Sequence, residues 1–470
     1  MPVKKVSDTS ACYSIPKRMR EVISISLINL KIDGITHEGW GVARLDGMAV
    51  FVEGAIPGES VMAGITEKGR SFMRARTEEV LEPSVYRAIP FCPHYGACGG
   101  CNLQHVTYEG QLSLKRRIVE DALRRLGGIK EPDVLPVLGM EDPMGYRNKA
   151  EFRVWKSENG VHSLGFRMRN SHDAVAIREC RVLQDGILEA AHFTIDEMND
   201  SLRGEYLGIR HIVVRANPEG KLMVTLVSSE PAGSPHRKLA MKLLEKVPMA
   251  TSVYHCFNRN KFGEVLQGGF TLLAGLDKLP FEISGNSFLA SPRSFLQVNS
   301  RQVGKLYETA AGFIDLKDDD NVLDIFSGMG TITLMLAKRA RKALGIELNG
   351  FAVADARDSA AENGINNASF IAGPAEAVIS SDEVKAFGAR TAVLDPPRAG
   401  CDPGLVRALV ESAMERIAYV SCDPATLARD ISLFVSGGFD LLKVQPVDMF
   451  PYTSHIETVV SILRAKKADL

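Results

Sequence analysis

Cys422 follows an apolar run and precedes Asp423-Pro424, where a buried strand would end. About one α/β unit upstream, Leu394-Asp395-Pro396-Pro397-Arg398 repeats the arrangement with an acid and two prolines. Further upstream stands Asp324-Ile325-Phe326-Ser327-Gly328-Met329-Gly330, and downstream His455-Ile456-Glu457 opens another apolar run. The ends of parallel strands line up on one sheet edge, which is where open α/β sheets bind ligands. A thiol there reads as a nucleophile beside a cofactor. The competing reading is a buried structural cysteine, the common fate of a free thiol. Asp423-Pro424, which ends the strand and exposes the loop, argues against it. Cys401 is a rival nucleophile, but it falls several residues past its strand end, near a helix start, so position favours Cys422.

The glycine loop sets the cofactor. Asp324-x-x-x-Gly328-x-Gly330 follows a strand and opens a helix over residues 331–337, and glycines let backbone approach a ligand closely. Glu347 ends the next strand, where a carboxylate can accept both ribose hydroxyls of an adenosine. There is no GxGxxG to seat a pyrophosphate, so S-adenosylmethionine fits better than NAD. No Walker A sequence is present either.

A thiol, a methyl donor and a carboxylate together answer one chemical problem. Carbon 5 of uracil is too weak a nucleophile to take a methyl group directly. A thiolate adding to carbon 6 makes carbon 5 reactive, splitting one hard step into easier ones. A base must then remove the carbon-5 proton so that the thiol can leave, and Glu457 is the candidate.

These residues need a scaffold. Residues 286–470 alternate apolar strands (322–325, 343–346, 392–394, 417–420) with helix-length segments, as in a doubly wound parallel sheet. Residues 84–285 read as an α+β region with antiparallel strands, a helix over 108–126 and another near 238–246. Residues 22–83 read as short strands broken by glycines, a small OB-like barrel. Residues 1–21 are basic and polar, a flexible tail.

Composition narrows the rest. Net charge is −1, so any nucleic-acid contact must come from local basic patches. One lies between Arg147 and Arg181, with eight Lys or Arg against four Asp or Glu. Others are Lys68, Arg70, Arg74 and Arg76 around Phe72 in the barrel. No apolar run suits a membrane span and no secretion signal is legible, so a cytoplasmic chain is expected. No protein partner is implied, and a monomer is expected. Eight cysteines in 470 residues are no disulfide framework. Cys92-x5-Cys98-Gly-Gly-Cys101 with the later Cys180 instead signals a metal site, and four thiolates suit zinc or an iron–sulfur cluster equally. His94 and His105 lie close by, but four cysteines suffice without them.

Longer motifs carry a resemblance. Residues 51–59, Phe-Val-Glu-Gly-Ala-Ile-Pro-Gly-Glu, resemble the TRAM module, an OB-like RNA-binding barrel. Tyr419-Val420-Ser421-Cys422-Asp423-Pro424, Leu394 to Gly400, Asp448 to Glu457 and Ser294-Phe295-Leu296-Gln297-Val298-Asn299 resemble the S-adenosylmethionine-dependent RNA uracil-5-methyltransferases. The resemblance implies a Rossmann-like methyltransferase domain with Cys422 as nucleophile and Glu457 as base. It implies Gln297, Phe326, Glu347 and Asp395 around the cofactor or reacting base, with Thr331 after the GxG also at the cofactor. Cys98 to His105 resembles the cluster segment of the iron–sulfur members, which implies a 4Fe-4S centre on Cys92, Cys98, Cys101 and Cys180. Barrel and cluster together imply 23S rRNA as substrate, with tRNA as the alternative. A non-catalytic RNA-binding or assembly factor is the alternative of another class. Two positions depart from the pattern: Asp423 replaces the usual Asn beside the nucleophile, and Pro374 stands where Asp or Asn is usual near the adenine.

Overall fold

The computed structural model describes residues 27–466, so the basic tail lies outside the described residues. Contacts divide the described residues into two compact units, one formed by residues 27–36 and 40–85, the other by residues 37–39 and 86–466.

The first unit is a six-stranded sheet in the order Leu27–Lys31, Ser60–Lys68, Phe72–Glu82, Met48–Glu53, Gly41–Leu45, Gly34–Ile35. Val50, Val52, Val61, Ala63 and Ala75 alternate along these strands and fill its core, as period-two patterning requires. Arg74 of the basic edge lies over the rings of Trp40 and Phe72 and pairs with Glu67 at 2.9 Å.

The second unit carries two seven-stranded sheets. The first runs Gly269–Gly275, Ala250–Phe257, Leu222–Ser228, Ile209–Ala216, Lys149–Lys156, His162–Arg167, Ala174–Ala176. Its strands pair antiparallel except Leu222–Ser228 with Ala250–Phe257, which are parallel because the helix Ser234–Lys246 carries the chain back between them. The helix expected over 108–126 spans Tyr108–Arg125, capped at its start by the Thr107 side chain, which accepts from Gly110 N.

The second sheet positions the chemistry. Its order is Ala368–Ala372, Lys342–Glu347, Asn321–Ile325, Thr391–Leu394, Arg416–Ser421, Glu457–Arg464, Phe439–Val447. The first five strands are parallel, and Glu457–Arg464 returns antiparallel between Arg416–Ser421 and Phe439–Val447. Strands Asn321–Ile325 and Thr391–Leu394 are buried throughout, which explains why they read as unbroken apolar runs. Helix Thr331–Ala337 starts where the glycine loop ends.

Candidate active site

Register brings the chemistry-bearing residues to one edge. Ile325 pairs with Ile346 and Leu394, and Leu394 with Tyr419, so the loops after these strands open on the same side. Ser421 pairs with Thr458 in the returning strand, which places Cys422 and Glu457 next to one another across that pair. Electrostatics reports the same closeness. Burial and then the Glu457 charge push the Cys422 thiol up to about 11, with Asp395 adding to the rise. Burial and the Asp395 charge push Glu457 up to about 8, and burial with Asp324 pushes Asp395 to about 7. Near neutrality this edge therefore holds protons that ordinary carboxylates would have lost.

Arg398 opposes these shifts. It lowers the Cys422 thiol, and its charge lowers Glu457 as well. Its guanidinium also lies 3.4 Å from His455 Nδ1. In the linear chain this arginine stands within its motif with no role attached. A lone cation in a loop between strand-end acids was the available signal. Tyr307 was missed altogether. It is buried in helix Ser300–Phe313, and burial first, then the charges of Asp395, Asp324 and Glu457, raise its hydroxyl. Only packing of that helix under the sheet edge brings it there.

Asp423 does not aim at the sulfur. Its side chain caps helix Pro424–Ser436, accepting from Ala425 N and Thr426 N at 2.9 Å each. An Asn would cap the same helix through its oxygen, so the departure keeps the cap. Cys401 is buried; its N–H donates to Asp430, which also accepts from the Tyr419 hydroxyl at 2.6 Å. It lies immediately before the helix Pro403–Glu411 capped by Asp402, and burial pushes its thiol up to about 12.

The glycine loop is drawn tight. Glu347 accepts from Gly328 N at 3.0 Å and from Asn349 N at 2.8 Å. Gly330 has φ of 82°, and a Cβ there would sit 3.0 Å from the Phe370 ring. Phe326 holds φ of 71°, a left-handed conformation that a bulky residue adopts only when its surroundings impose it. Two buried polar atoms at this loop, Asp324 Oδ1 and Ser327 Oγ, have no partner within the protein. The second oxygen of Asp324 accepts from Thr333 at 2.5 Å. Thr331 donates to the Tyr307 hydroxyl at 3.2 Å, which ties the loop to helix Ser300–Phe313. Gln297 is held by its backbone, its carbonyl accepting from Asn148 Nδ2 at 3.1 Å. Pro374 opens the short helix Ala375–Val378 and offers no side-chain hydrogen bond.

Away from this edge, Cys92, Cys98, Cys101 and Cys180 line one cavity of 470 Å³ together with Arg147, Arg169 and Tyr146. Burial pushes Cys101 up to about 12 and Cys180 to about 11, and the neighbouring thiols push each the same way. Among the described residues, however, no three His, Cys, Asp or Glu side chains close on a single metal ion. The two nearby histidines are engaged elsewhere. His105 Nδ1 meets the Tyr95 hydroxyl at 2.6 Å, and His94 accepts from Arg178 N.

The profile of the tRNA (Uracil-5-)-methyltransferase family matches residues 107–465. This chain belongs to that family. A TRAM domain precedes the methyltransferase region, over residues 26–77. Over 442 residues the chain is 38% identical to an uncharacterized RNA methyltransferase of Clostridium tetani, covering 93% of this chain and 96% of that one. Another from Enterococcus faecalis is 37% identical over 460 residues, covering 96% and 99%. In structure, this family member resembles Pyrococcus abyssi tRNA (uracil-54, C5)-methyltransferase in complex with S-adenosyl-L-homocysteine. That likeness has a TM-score of 0.73 and 26% identity over 93% of this chain and 100% of that one. The protein is thus an RNA methyltransferase with a TRAM module. Among the described residues no helix is long and apolar enough to cross a membrane.

Proposed function

We propose that the protein methylates carbon 5 of a uridine in RNA through a covalent adduct on Cys422. The observation that carries this reading is the register pair Ser421–Thr458, which sets a thiol beside the carboxyl of Glu457, with Asp395 and Arg398 acting on both. The Cys422 thiolate adds to carbon 6, and the electrons of the carbon 5–carbon 6 double bond move toward carbon 5 and the carbonyl at carbon 4. Arg398 favours the thiolate that this step requires. S-adenosylmethionine would supply the methyl group that carbon 5 accepts, the sulfur–methyl bond breaking to leave S-adenosylhomocysteine. Glu457 then takes the carbon-5 proton, the double bond re-forms, and the sulfur–carbon bond breaks to return the thiolate. Glu347 and the loop from Phe326 to Thr331 would hold the adenosine and methionine parts of the donor. The two orphaned oxygens of Asp324 and Ser327 fit a polar ligand at that loop.

The four-cysteine cavity is read as a 4Fe-4S site with a structural role. Four thiols line one cavity, and a cluster puts each thiolate on a separate iron. A zinc ion would instead need all four thiolates around one point. The substrate is read as 23S rRNA on the combination of this cysteine set with the barrel. A tRNA substrate is the second reading, favoured by the likeness to the P. abyssi tRNA enzyme.

The decisive test incubates the protein with S-adenosylmethionine and RNA carrying 5-fluorouridine, from which no carbon-5 proton can be taken. Wild type should trap a covalent complex and Cys422→Ala should not. Equal trapping by the variant would refute the nucleophile. Mapping 5-methyluridine in rRNA and tRNA of a deletion strain decides between the two substrates.

A further inference from the structure

Glu457 is the first residue of its strand, so the loop before it, residues 448–456, decides where its carboxyl points. That loop lies outside helix and strand. It contains Tyr452 at φ of 65°, a backbone conformation that costs a non-glycine residue on the order of 1–3 kcal/mol and persists only where neighbours impose it.

The neighbours that impose it come from the cysteine segment. The carbonyl of Tyr452 accepts from Asn102 N at 3.1 Å and Leu103 N at 3.0 Å. The Asn102 side chain then closes a two-point pair on one residue: Oδ1 accepts from Ser454 N at 2.8 Å and Nδ2 donates to Ser454 Oγ at 3.0 Å. Asn102 follows Cys101, and Ser454 is three residues before Glu457. On the other side, Phe91, which precedes Cys92, sets its ring edge against Tyr452 at 5.0 Å and 78°. The Tyr452 N–H donates to Gln111 Oε1 at 2.7 Å. Residues flanking two of the four cysteines thus grip the loop that presents the base, across a sequence separation of 352 residues.

We propose that Asn102 is a positioning residue for Glu457, and that the cysteine segment serves the proton-removal step by holding the 448–456 loop in its left-handed turn. The inference rests on the reading of Glu457 as base. It assigns the segment a task distinct from electron transfer and from RNA contact. Losing the Asn102 side-chain pair frees Ser454, three residues before the base, while the backbone bonds to Tyr452 remain, and the carboxyl of Glu457 loses its aim at carbon 5. Addition of the Cys422 thiolate, which precedes proton removal, is untouched. Misplacing a catalytic group by about 1 Å can cost on the order of a hundredfold in rate.

The test separates the two steps on full-length protein. RNA with ordinary uridine and S-adenosylmethionine is mixed with wild type, Asn102→Ala, Asn102→Asp and Glu457→Gln. Covalent complex and turnover are then followed separately. Asn102→Ala should lose roughly tenfold to a hundredfold in turnover. It should still form the 5-fluorouridine complex at near the wild-type rate and should accumulate complex on ordinary RNA, as Glu457→Gln does. Asn102→Asp keeps the acceptor for Ser454 N but loses the Nδ2 donor, which also reaches the Glu38 carbonyl at 2.8 Å, so its turnover should fall between Asn102→Ala and wild type. Amide exchange should quicken at residues 452–457 in Asn102→Ala and not elsewhere. If Asn102→Ala slows fluorouridine trapping and turnover together, or exchanges faster throughout, the residue is merely structural and the inference fails. Unchanged turnover also overturns it. If Glu457→Gln itself accumulates no complex, the base assignment is wrong, and the inference falls with it by a distinct result.

Discussion

Arg398 lowers both the Cys422 thiol and Glu457, so one cation acts on both the nucleophile and the base. It offsets the two carboxyls that raise the thiol. Arg398→Met should therefore slow trapping of 5-fluorouridine RNA by about a hundredfold or more, the scale of losing one preorganised charge. The loss should shrink at high pH, where the thiolate forms unaided. A trapping rate that is independent of pH in the variant would contradict this role.

Turnover should rise with pH through about 8, because Glu457 accepts a proton only once it has lost its own. The rise belongs to the carboxyls as a coupled set, since Asp395 acts on Glu457. Glu457→Gln should abolish the step at that pH. A turnover profile that falls between pH 7 and 9 would rule out an anionic base with this value.

The same shift makes the site costly to fold. Glu457 loses its proton at 4.5 ordinarily and at about 8 when folded, so folding takes up a proton between those values. The stabilisation is complete below pH 4.5 and is lost as pH climbs through 8. Glu457→Gln should therefore match wild type near pH 4.5 and exceed it at pH 8.5 by on the order of a few kcal/mol. Denaturant melts at the two pH values measure the difference.

Lys115 and Asp448 form a fully buried pair at 2.6 Å, with the Tyr108 hydroxyl donating to the other carboxylate oxygen at 2.9 Å. Burial works against the lysine charge and Asp448 supports it. Lys115→Met strands Asp448 without its counter-charge and should cost about 3–5 kcal/mol. The double variant Lys115→Met with Asp448→Leu should recover most of that stability in equilibrium unfolding. A double variant no more stable than the single one would show that the pair is not the source.

Purified protein should contain iron and a broad visible absorption, and Cys101→Ser should lose both. Colourless protein containing zinc would defeat the cluster reading.

Much of the active edge was legible in the linear chain. Apolar runs ending in Asp395, Cys422 and the glycine loop announce parallel strands, because fully buried strands leave no polar alternation and their ends must carry whatever polar chemistry exists. The helices Thr331–Ala337 and Tyr108–Arg125 followed from local signals, a glycine turn for the first and apolar residues at helical spacing ended by Gly127-Gly128 for the second. The parallel pairing of Leu222–Ser228 with Ala250–Phe257 did not, since strand direction depends on the packing of the crossover helix and not on residue alternation.

Cys422, Glu457 and the cysteine set could be singled out by residue type and spacing, since thiols and carboxylates at strand ends and in close clusters are chemically conspicuous. Their mutual influence could not. Whether Asp423 faced the sulfur was a question of one side-chain torsion, and the helix that begins at Pro424 decided it by offering two backbone N–H groups to that carboxylate. Tyr307 beneath the carboxyls, Arg398 on the thiol and Asn102 on the base loop all depend on contacts between segments far apart in the chain. Such contacts leave no periodicity or motif behind. Only the folded chain, by excluding water from this edge, turns ordinary acids and a thiol into a coupled set whose protons shift near neutral pH.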